Sequence, residues 1–198
     1  MTRLGLIDYG MGNLHSVQRA FERLGASVVP VRGELPACDA LILPGVGAFD
    51  PAMERLRSSG LDHLLGQWCA AGKPLLGICL GLQLLFEASD EGSSAGLGLL
   101  AGTVRALPRR PGHPIPHMGW EPLIAANPSP LLPLDAPPTW VYFVHSFAAE
   151  PSDPAVTAAV WHGAIGACQF HPEKSGPHGE AILRRWLQWL QAGAASPA

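Results

Sequence analysis

Apolar residues fall along the first half of this chain in two alternating rhythms. Residues 4–8, Leu-Gly-Leu-Ile-Asp, read as a short buried strand; after the turn at Gly10 and Gly12 come Leu14, Val17, Phe21 and Leu24 at helical spacing. Asn13 stands where a helix N-cap is expected, and Gly25 where a helix stops. Residues 28–31 and 40–43 read as two further strands. Helical patterns follow over 52–57 and 61–71, the second closed by Gly72. A fourth apolar run at 75–78 leads into a helical pattern over 80–88. This alternation predicts an α/β fold, with a doubly wound, mostly parallel central sheet flanked by helices.

The second half reads differently. Residues 108–138 carry many prolines and few long periodic runs, which predicts loops and short strands in place of continuous helix. Three β-favouring stretches, 139–147, 156–161 and 164–170, predict strands or hairpins added in the C-terminal half. Ile182, Leu183, Trp186, Leu187 and Leu190 share one face of a final helix over 179–191, and 192–198 are expected to fray. With 198 residues, 47% of them hydrophobic, and no internal repeat, the chain is expected to form one domain over 1–198 around a sizeable core.

Charge and cysteine usage narrow the function classes. A net charge of −3 without a long basic run gives little reason to expect nucleic acid as a partner. Asp8 cuts the first apolar run too short for a secretory leader or a membrane span, so a cytoplasmic protein with no membrane partner is expected. Four cysteines, Cys38, Cys69, Cys79 and Cys168, lie far apart with no C-x-x-C pair, which disfavours a zinc site or a redox pair. Among apolar or alanine-rich neighbours, Cys38, Cys69 and Cys168 read as buried structural thiols.

Cys79 is different. It lies between Gly77 and Gly81, behind an apolar strand and ahead of a helical pattern, the arrangement of a nucleophile elbow. Only the thiolate attacks well, so such a site needs a nearby positive influence: a helix N-terminus, carrying about half an elementary charge, or a histidine. His171 ends the apolar run 164–170, and Pro172 biases it towards an extended backbone. Glu173, two residues on, falls on the same side, the arrangement of a base and its orienter. Sites in open parallel sheets gather beyond the carboxyl ends of strands, where both Cys79 and His171 are predicted. Either motif alone is ordinary, a packed small residue or a loop; together they predict a Cys79, His171, Glu173 triad.

Two further features border this constellation. Gly45, Val46 and Gly47 follow the third strand, and their backbone N–H groups, with that of Leu80, form a candidate oxyanion hole; a plain glycine turn is the competing reading. Gln83 lies one helical turn beyond Cys79, aimed either at a substrate or at solvent. Gly10-Met11-Gly12 lacks the third glycine of a dinucleotide fingerprint, with His15 in its place. No cofactor and no metal are expected.

The stretches 77–81 (Gly-Ile-Cys-Leu-Gly), 83–85 (Gln-Leu-Leu) and 169–175 (Gln-Phe-His-Pro-Glu-Lys-Ser) resemble the class I, or triad, glutamine amidotransferases. Residues 8–14, 43–49, 116–120 and 142–146 narrow the resemblance to the glutaminase subunits of imidazole glycerol phosphate synthases, and the motifs cover nearly the whole chain. The resemblance implies that Cys79 attacks the side-chain amide of glutamine, that His171 moves protons and that Glu173 orients it. It implies that Gly45, Gly47 and Gln83, with His145, Ser146 and Phe147, line the glutamine pocket, and that the 44–47 strand rearranges before turnover. It also implies a heterodimer in which ammonia passes to a (β/α)₈-barrel cyclase subunit making imidazole glycerol phosphate and an aminoimidazole carboxamide ribonucleotide. Asn13, Trp120, Tyr142 and Lys174 match the cyclase-facing surface; core packing is the alternative for Trp120 and Tyr142. His15, Asp50-Pro51, Glu121 and Phe147 depart from the family pattern, and none removes the triad. A glutaminase subunit of a pyridoxal phosphate or anthranilate synthase, a non-catalytic subunit and a stand-alone cysteine hydrolase are the competing functions.

Overall fold

Residues 40–45 and 75–79 are buried along their whole length, as strands covered on both faces must be. The computed structural model describes residues 1–125, 127–134, 138–151 and 158–194. In chain order come β1 (Arg3–Ile7), α1 (Leu14–Arg23), β2 (Ser27–Val31), β3 (Ala40–Gly45), α2 (Phe49–Ser58), α3 (Leu61–Ala70), β4 (Leu75–Cys79) and α4 (Leu80–Leu84). They are followed by β5 (Ala88–Ser89), β6 (Gly102–Ala106), β7 (His117–Leu123), β8 (Thr139–His145), β9 (Phe147–Pro151), β10 (Ala159–His162) and β11 (Ile165–Cys168). A 3₁₀ turn at Pro172–Lys174 precedes α5 (Gly176–Gln191).

The main sheet has the order β10-β11-β4-β3-β1-β2, parallel throughout except for the edge strand β10, which pairs antiparallel with β11. Side chains leave alternate faces of each strand and divide the core in two. Ile7, Leu41, Leu43 and Leu75 pack with α2 and α3, while Leu4, Leu6, Ile42 and Ile78 pack with α1 and α5. This is the doubly wound α/β arrangement expected. The added strands form two smaller groups, β5-β6-β9 and the antiparallel ribbon β7-β8.

Caps and turns follow the local chemistry. Asn13 Oδ1 accepts from the Ser16 N–H at 3.2 Å, closing the first turn of α1, and Gly25 takes a left-handed φ of 85° just past its end. Lacking a capping side chain of its own, α2 receives one from a distance: Glu91 Oε2 accepts from the Phe49 N–H at 3.0 Å.

Several features differ from the sequence reading. The helix predicted over 80–88 ends at Leu84, because the 97–100 segment donates to the carbonyls of Leu84 and Leu85 and captures the groups that would have continued it. The 139–147 stretch breaks at Ser146: β8 pairs with β7, whereas β9 leaves to pair with β6, a strand without a clear sequence signal. The third β-favouring stretch ends at Cys168, so His171 follows its strand by three residues. Helix α5 begins at Gly176, three residues early, with Pro177 in its first turn where a missing N–H costs nothing. Of the three thiols read as structural, Cys168 is buried, whereas Cys38 and Cys69 are only partly covered. Residues 156–157 and 195–198 of the sequence reading lie outside the described residues.

The deepest contact between helices is aromatic. Phe21 and Trp186, both fully buried, meet edge to face with centroids 5.6 Å apart, joining α1 to α5 beneath the sheet. Trp186→Ala is expected to cost roughly 3–5 kcal/mol in urea unfolding, as large aromatic truncations in cores do. A loss below about 1 kcal/mol would contradict this packing.

Candidate active site

Cys79 is the last residue of β4 and the cap of α4, with φ 55° and ψ −112°, left-handed although it carries a side chain. Such backbone persists only where the surroundings impose it. A side chain at Gly81 would collide with the Leu43 carbonyl, and one at Gly77 would lie 3.1 Å from Ala167 Cβ, the Gly81 carbonyl and the Leu82 nitrogen. The glycines therefore let α4 press directly onto β3, and the bend throws Cys79 outward at the end of the sheet.

Across the strand end stands His171, 2% exposed. Its Nδ1 lies 2.8 Å from Glu173 Oε1, and the two side chains are only 3% and 2% accessible. A carboxylate accepts, so Nδ1 carries the proton and Nε2 is the nitrogen left for the thiol. That Nε2 is buried and has no hydrogen-bond partner. Burial disfavours the imidazolium, but the nearby Cys79 sulfur and the hydrogen bond to Glu173, with the charges of both, outweigh it, raising His171 from 6.5 to about 9. A cation thus stands beside the sulfur at neutral pH; α4, at five residues, is too short to supply the field of a long helix. Ser175 braces this turn, its hydroxyl donating to the His171 carbonyl at 2.6 Å and accepting from the Tyr142 N–H at 3.0 Å.

The sequence reading missed the role of Gln169, which is fully buried. Phe147 O accepts from Gln83 Nε2 at 3.1 Å and lies 2.8 Å from His145 Nδ1. Because a carbonyl only accepts, Gln83 must present its nitrogen there, and it also donates to Gln169 Oε1 at 3.0 Å. The Gln169 nitrogen is left facing Cys79 Sγ at 3.9 Å. Gln83 is therefore neither aimed freely at a substrate nor solvent-facing; its nitrogen acts on the thiol through Gln169. Burial, helped by the nearby His117 and opposed by the Phe147 contact, holds His145 below its ordinary value, so it is neutral at pH 7.

The 45–47 loop lies opposite. Gly45 pairs with Cys79 in the β3–β4 register, and a side chain there would meet Tyr9 Oη at 2.6 Å and Leu80 Cβ at 2.9 Å. Gly47 has φ 109°, and Val46 is partly exposed at the rim. Leu80 is buried immediately behind Cys79. Glu91, another residue the sequence did not single out, reaches the end of this loop through Phe49; burial raises its carboxyl above the ordinary range. A cavity of about 1050 Å³ bordered by Phe143, His145 and Trp161 does not include Cys79 among its lining residues.

Of the residues expected at the partner surface, Asn13 and Lys174 are exposed and Tyr142 is half-buried, while Trp120 is 49% exposed, which excludes core packing for its ring. Trp120 and Tyr142 stand side by side with ring centroids 6.0 Å apart, and the Tyr142 carbonyl accepts from the His171 N–H.

Residues 5–189 match the family model described as glutamine amidotransferase class-I. The chain belongs to the class I glutamine amidotransferases. The imidazole glycerol phosphate synthase subunit HisH 2 of Prochlorococcus marinus (strain MIT 9313) is 58% identical to this amidotransferase over 208 residues, covering 98% of each protein. The HisH subunit of Synechococcus sp. (strain CC9902) is 59% identical over 205 residues, covering 96% of each. Among solved structures, a crystal structure of a glutamine amidotransferase matches with a TM-score of 0.73 at 20% identity, over 95% of this chain and 98% of that one. PurLQS from Thermotoga maritima gives the same score and identity over 96% and 100%. At such identities these structures establish the shared fold.

The raised value of His171 fixes a pH dependence for this amidotransferase. A group favoured in its protonated form by folding contributes stability fully below its unfolded value of 6.5, and that contribution disappears as pH rises through about 9. Melting temperature is therefore expected to fall between those limits, and to fall less in Glu173→Gln, which lacks one of the groups holding the imidazolium. Scanning calorimetry of both proteins across the interval checks this, and equal slopes would contradict it.

Proposed function

We infer that this amidotransferase is the glutaminase subunit of an imidazole glycerol phosphate synthase, acting in histidine biosynthesis, with residues 1–198 as one amidotransferase domain. The observation that carries the reading is identity of 58% and 59% to named subunits of that synthase along nearly the whole chain. The buried Cys79, His171 and Glu173 supply the chemistry it requires.

In this reading Cys79 sulfur attacks the side-chain amide carbon of glutamine. The carbonyl electron pair moves onto oxygen, held by the Leu80 N–H and by the 45–47 loop. His171 Nε2 gives its proton to the departing nitrogen, and ammonia leaves as the C–N bond breaks. Water then attacks the thioester while His171 takes its proton, and the C–S bond breaks, releasing glutamate and restoring the sulfur beside a protonated His171; Glu173 holds the ring throughout. Gln83, His145, Ser146 and Phe147 form the wall behind the sulfur.

A cytoplasmic heterodimer with a (β/α)₈-barrel cyclase completes the reading. The cyclase uses the ammonia to form imidazole glycerol phosphate and an aminoimidazole carboxamide ribonucleotide. The β7-β8 ribbon supports such a partner. On one face Phe143, Val141 and Leu123 are buried, while on the other Met118, Trp120 and Trp140 are 60%, 49% and 46% exposed. Exposed apolar side chains concentrated on one face mark an interaction surface. Asn13 and Lys174 are proposed to extend it, with Lys174 next to the triad in sequence.

Glutamate release by the purified chain, alone and then with the cyclase subunit and its ribonucleotide ligand, tests the assignment. Strong stimulation in the full mixture is expected; brisk turnover by the chain alone would favour an independent hydrolase, and silence throughout would reject the reading. In the complex, Cys79→Ala should abolish synthesis from glutamine while sparing synthesis from ammonium salts, and loss of both would point to failed folding or assembly. Trp120→Ala should weaken cyclase binding by about tenfold or more in titration calorimetry, as removal of an aromatic anchor does. Unchanged affinity would displace the interface from this ribbon.

A further inference from the structure

Tyr9, 5% exposed, has no part in the steps above, and the role assigned to it below rests on the glutaminase reading. Strand β1 pairs with β3 as far as Leu6 opposite Ile42, but β3 continues to Gly45. Continued in register, Pro44 would lie opposite Asp8. The pairing with β3 stops short of that point: Asp8 stays on the β2 side, its N–H bonding Val31 O at 2.8 Å, and Gly10, with φ 80°, carries the chain towards α1. The Pro44 carbonyl is thus left without a β1 backbone donor just before the oxyanion loop. The Tyr9 hydroxyl fills the gap, donating to Pro44 O at 2.9 Å in a buried setting. Burial, with the charge of Cys79, pushes the phenol up, so it remains a donor at any working pH.

This bond has a directional consequence. In a trans peptide the N–H points opposite the carbonyl, so aiming Pro44 O at Tyr9 aims the Gly45 N–H the other way, towards β4, where Gly45 pairs with Cys79. The space a Gly45 side chain would need is taken up jointly by Tyr9 Oη at 2.6 Å, Leu80 Cβ at 2.9 Å and Gly81 N at 3.1 Å. The Pro44–Gly45 peptide is packed against both the phenol and the first turn of α4. We propose that Tyr9 is a positioning residue: through the Pro44 carbonyl, its hydroxyl fixes the peptide plane on which the 45–47 donors are carried to the oxyanion. The Tyr9 hydroxyl bonds Pro44 O rather than Cys79, His171 or Glu173, and Tyr9→Phe would keep the ring while leaving Pro44 O unpaired.

The test is Tyr9→Phe in the complex with the cyclase and its ribonucleotide ligand, assayed beside wild type. Loss of one anchoring hydrogen bond should lower kcat for glutamate release by about tenfold or more, with KM within about twofold, because the oxyanion forms only in the transition state. Alkylation of Cys79 by iodoacetamide, which forms no oxyanion, should proceed at the wild-type rate. Unchanged kcat, a change confined to KM, or alkylation slowed in parallel with kcat would each overturn the inference. A wild-type complex that releases no glutamate would overturn the glutaminase reading and this inference with it; an active wild type with an equally active Tyr9→Phe would overturn the inference alone.

Discussion

The structure turns on one strained residue. With φ 55°, Cys79 bends the chain from β4 into α4 within a single peptide, and the bend exists only because β3 and α4 meet backbone to backbone where Gly81 lies against the Leu43 carbonyl. That contact requires β3 and β4 to be adjacent and in the observed register, with Gly45 beside Cys79. The sheet order, the glycines and the placement of the oxyanion loop are consequences of one steric demand. Strain of this kind, of order 1–3 kcal/mol, is sustained by the packed core on both faces of the sheet.

Around that bend the electrostatics are closed to water. His171, Glu173 and Gln169 are almost wholly buried, so their interactions with the sulfur act at low effective dielectric, and unpaired polar atoms there are costly. Two supports reach the site from opposite sides. One runs from Phe147 through Gln83 and Gln169 to the thiol. The other joins the β7-β8 ribbon to His171, since the Tyr142 carbonyl accepts from the His171 N–H and the Tyr142 N–H donates to Ser175 Oγ. A ligand or subunit that displaces the ribbon would therefore act on His171. Such a connection couples sites only if the two arrangements differ in free energy.

Local features were legible from residues alone. The parallel strands appear as continuous apolar runs because they are buried on both faces, and α1 declares itself through Asn13, Gly25 and its apolar stripe. Cys79 and the His171-Pro172-Glu173 run were legible because each is a short motif at or just beyond the end of a strand. What the sequence concealed is settled by distant chain. The premature end of α4 depends on carbonyl capture by residues 97–100, and the break at Ser146 on pairing with β6. Tyr9, an aromatic at a strand end, reads as ordinary core, and its tie to Pro44 spans 35 positions. Gln169 stood inside a recognised motif, yet its contact with Cys79 depends on an amide orientation fixed by Phe147, and no spacing rule carries that.

The central claim is that one of four cysteines is a nucleophile. Treating the assembled complex with a glutamine analogue bearing a chloroketone, and locating the adduct by peptide mass spectrometry, tests it most directly. The account predicts a single covalent adduct on Cys79, formed fastest with the cyclase ligand present and blocked by excess glutamine, while Cys38, Cys69 and Cys168 stay unmodified. Labelling of Cys38 or Cys69 at a comparable rate, or no adduct on Cys79, would contradict it.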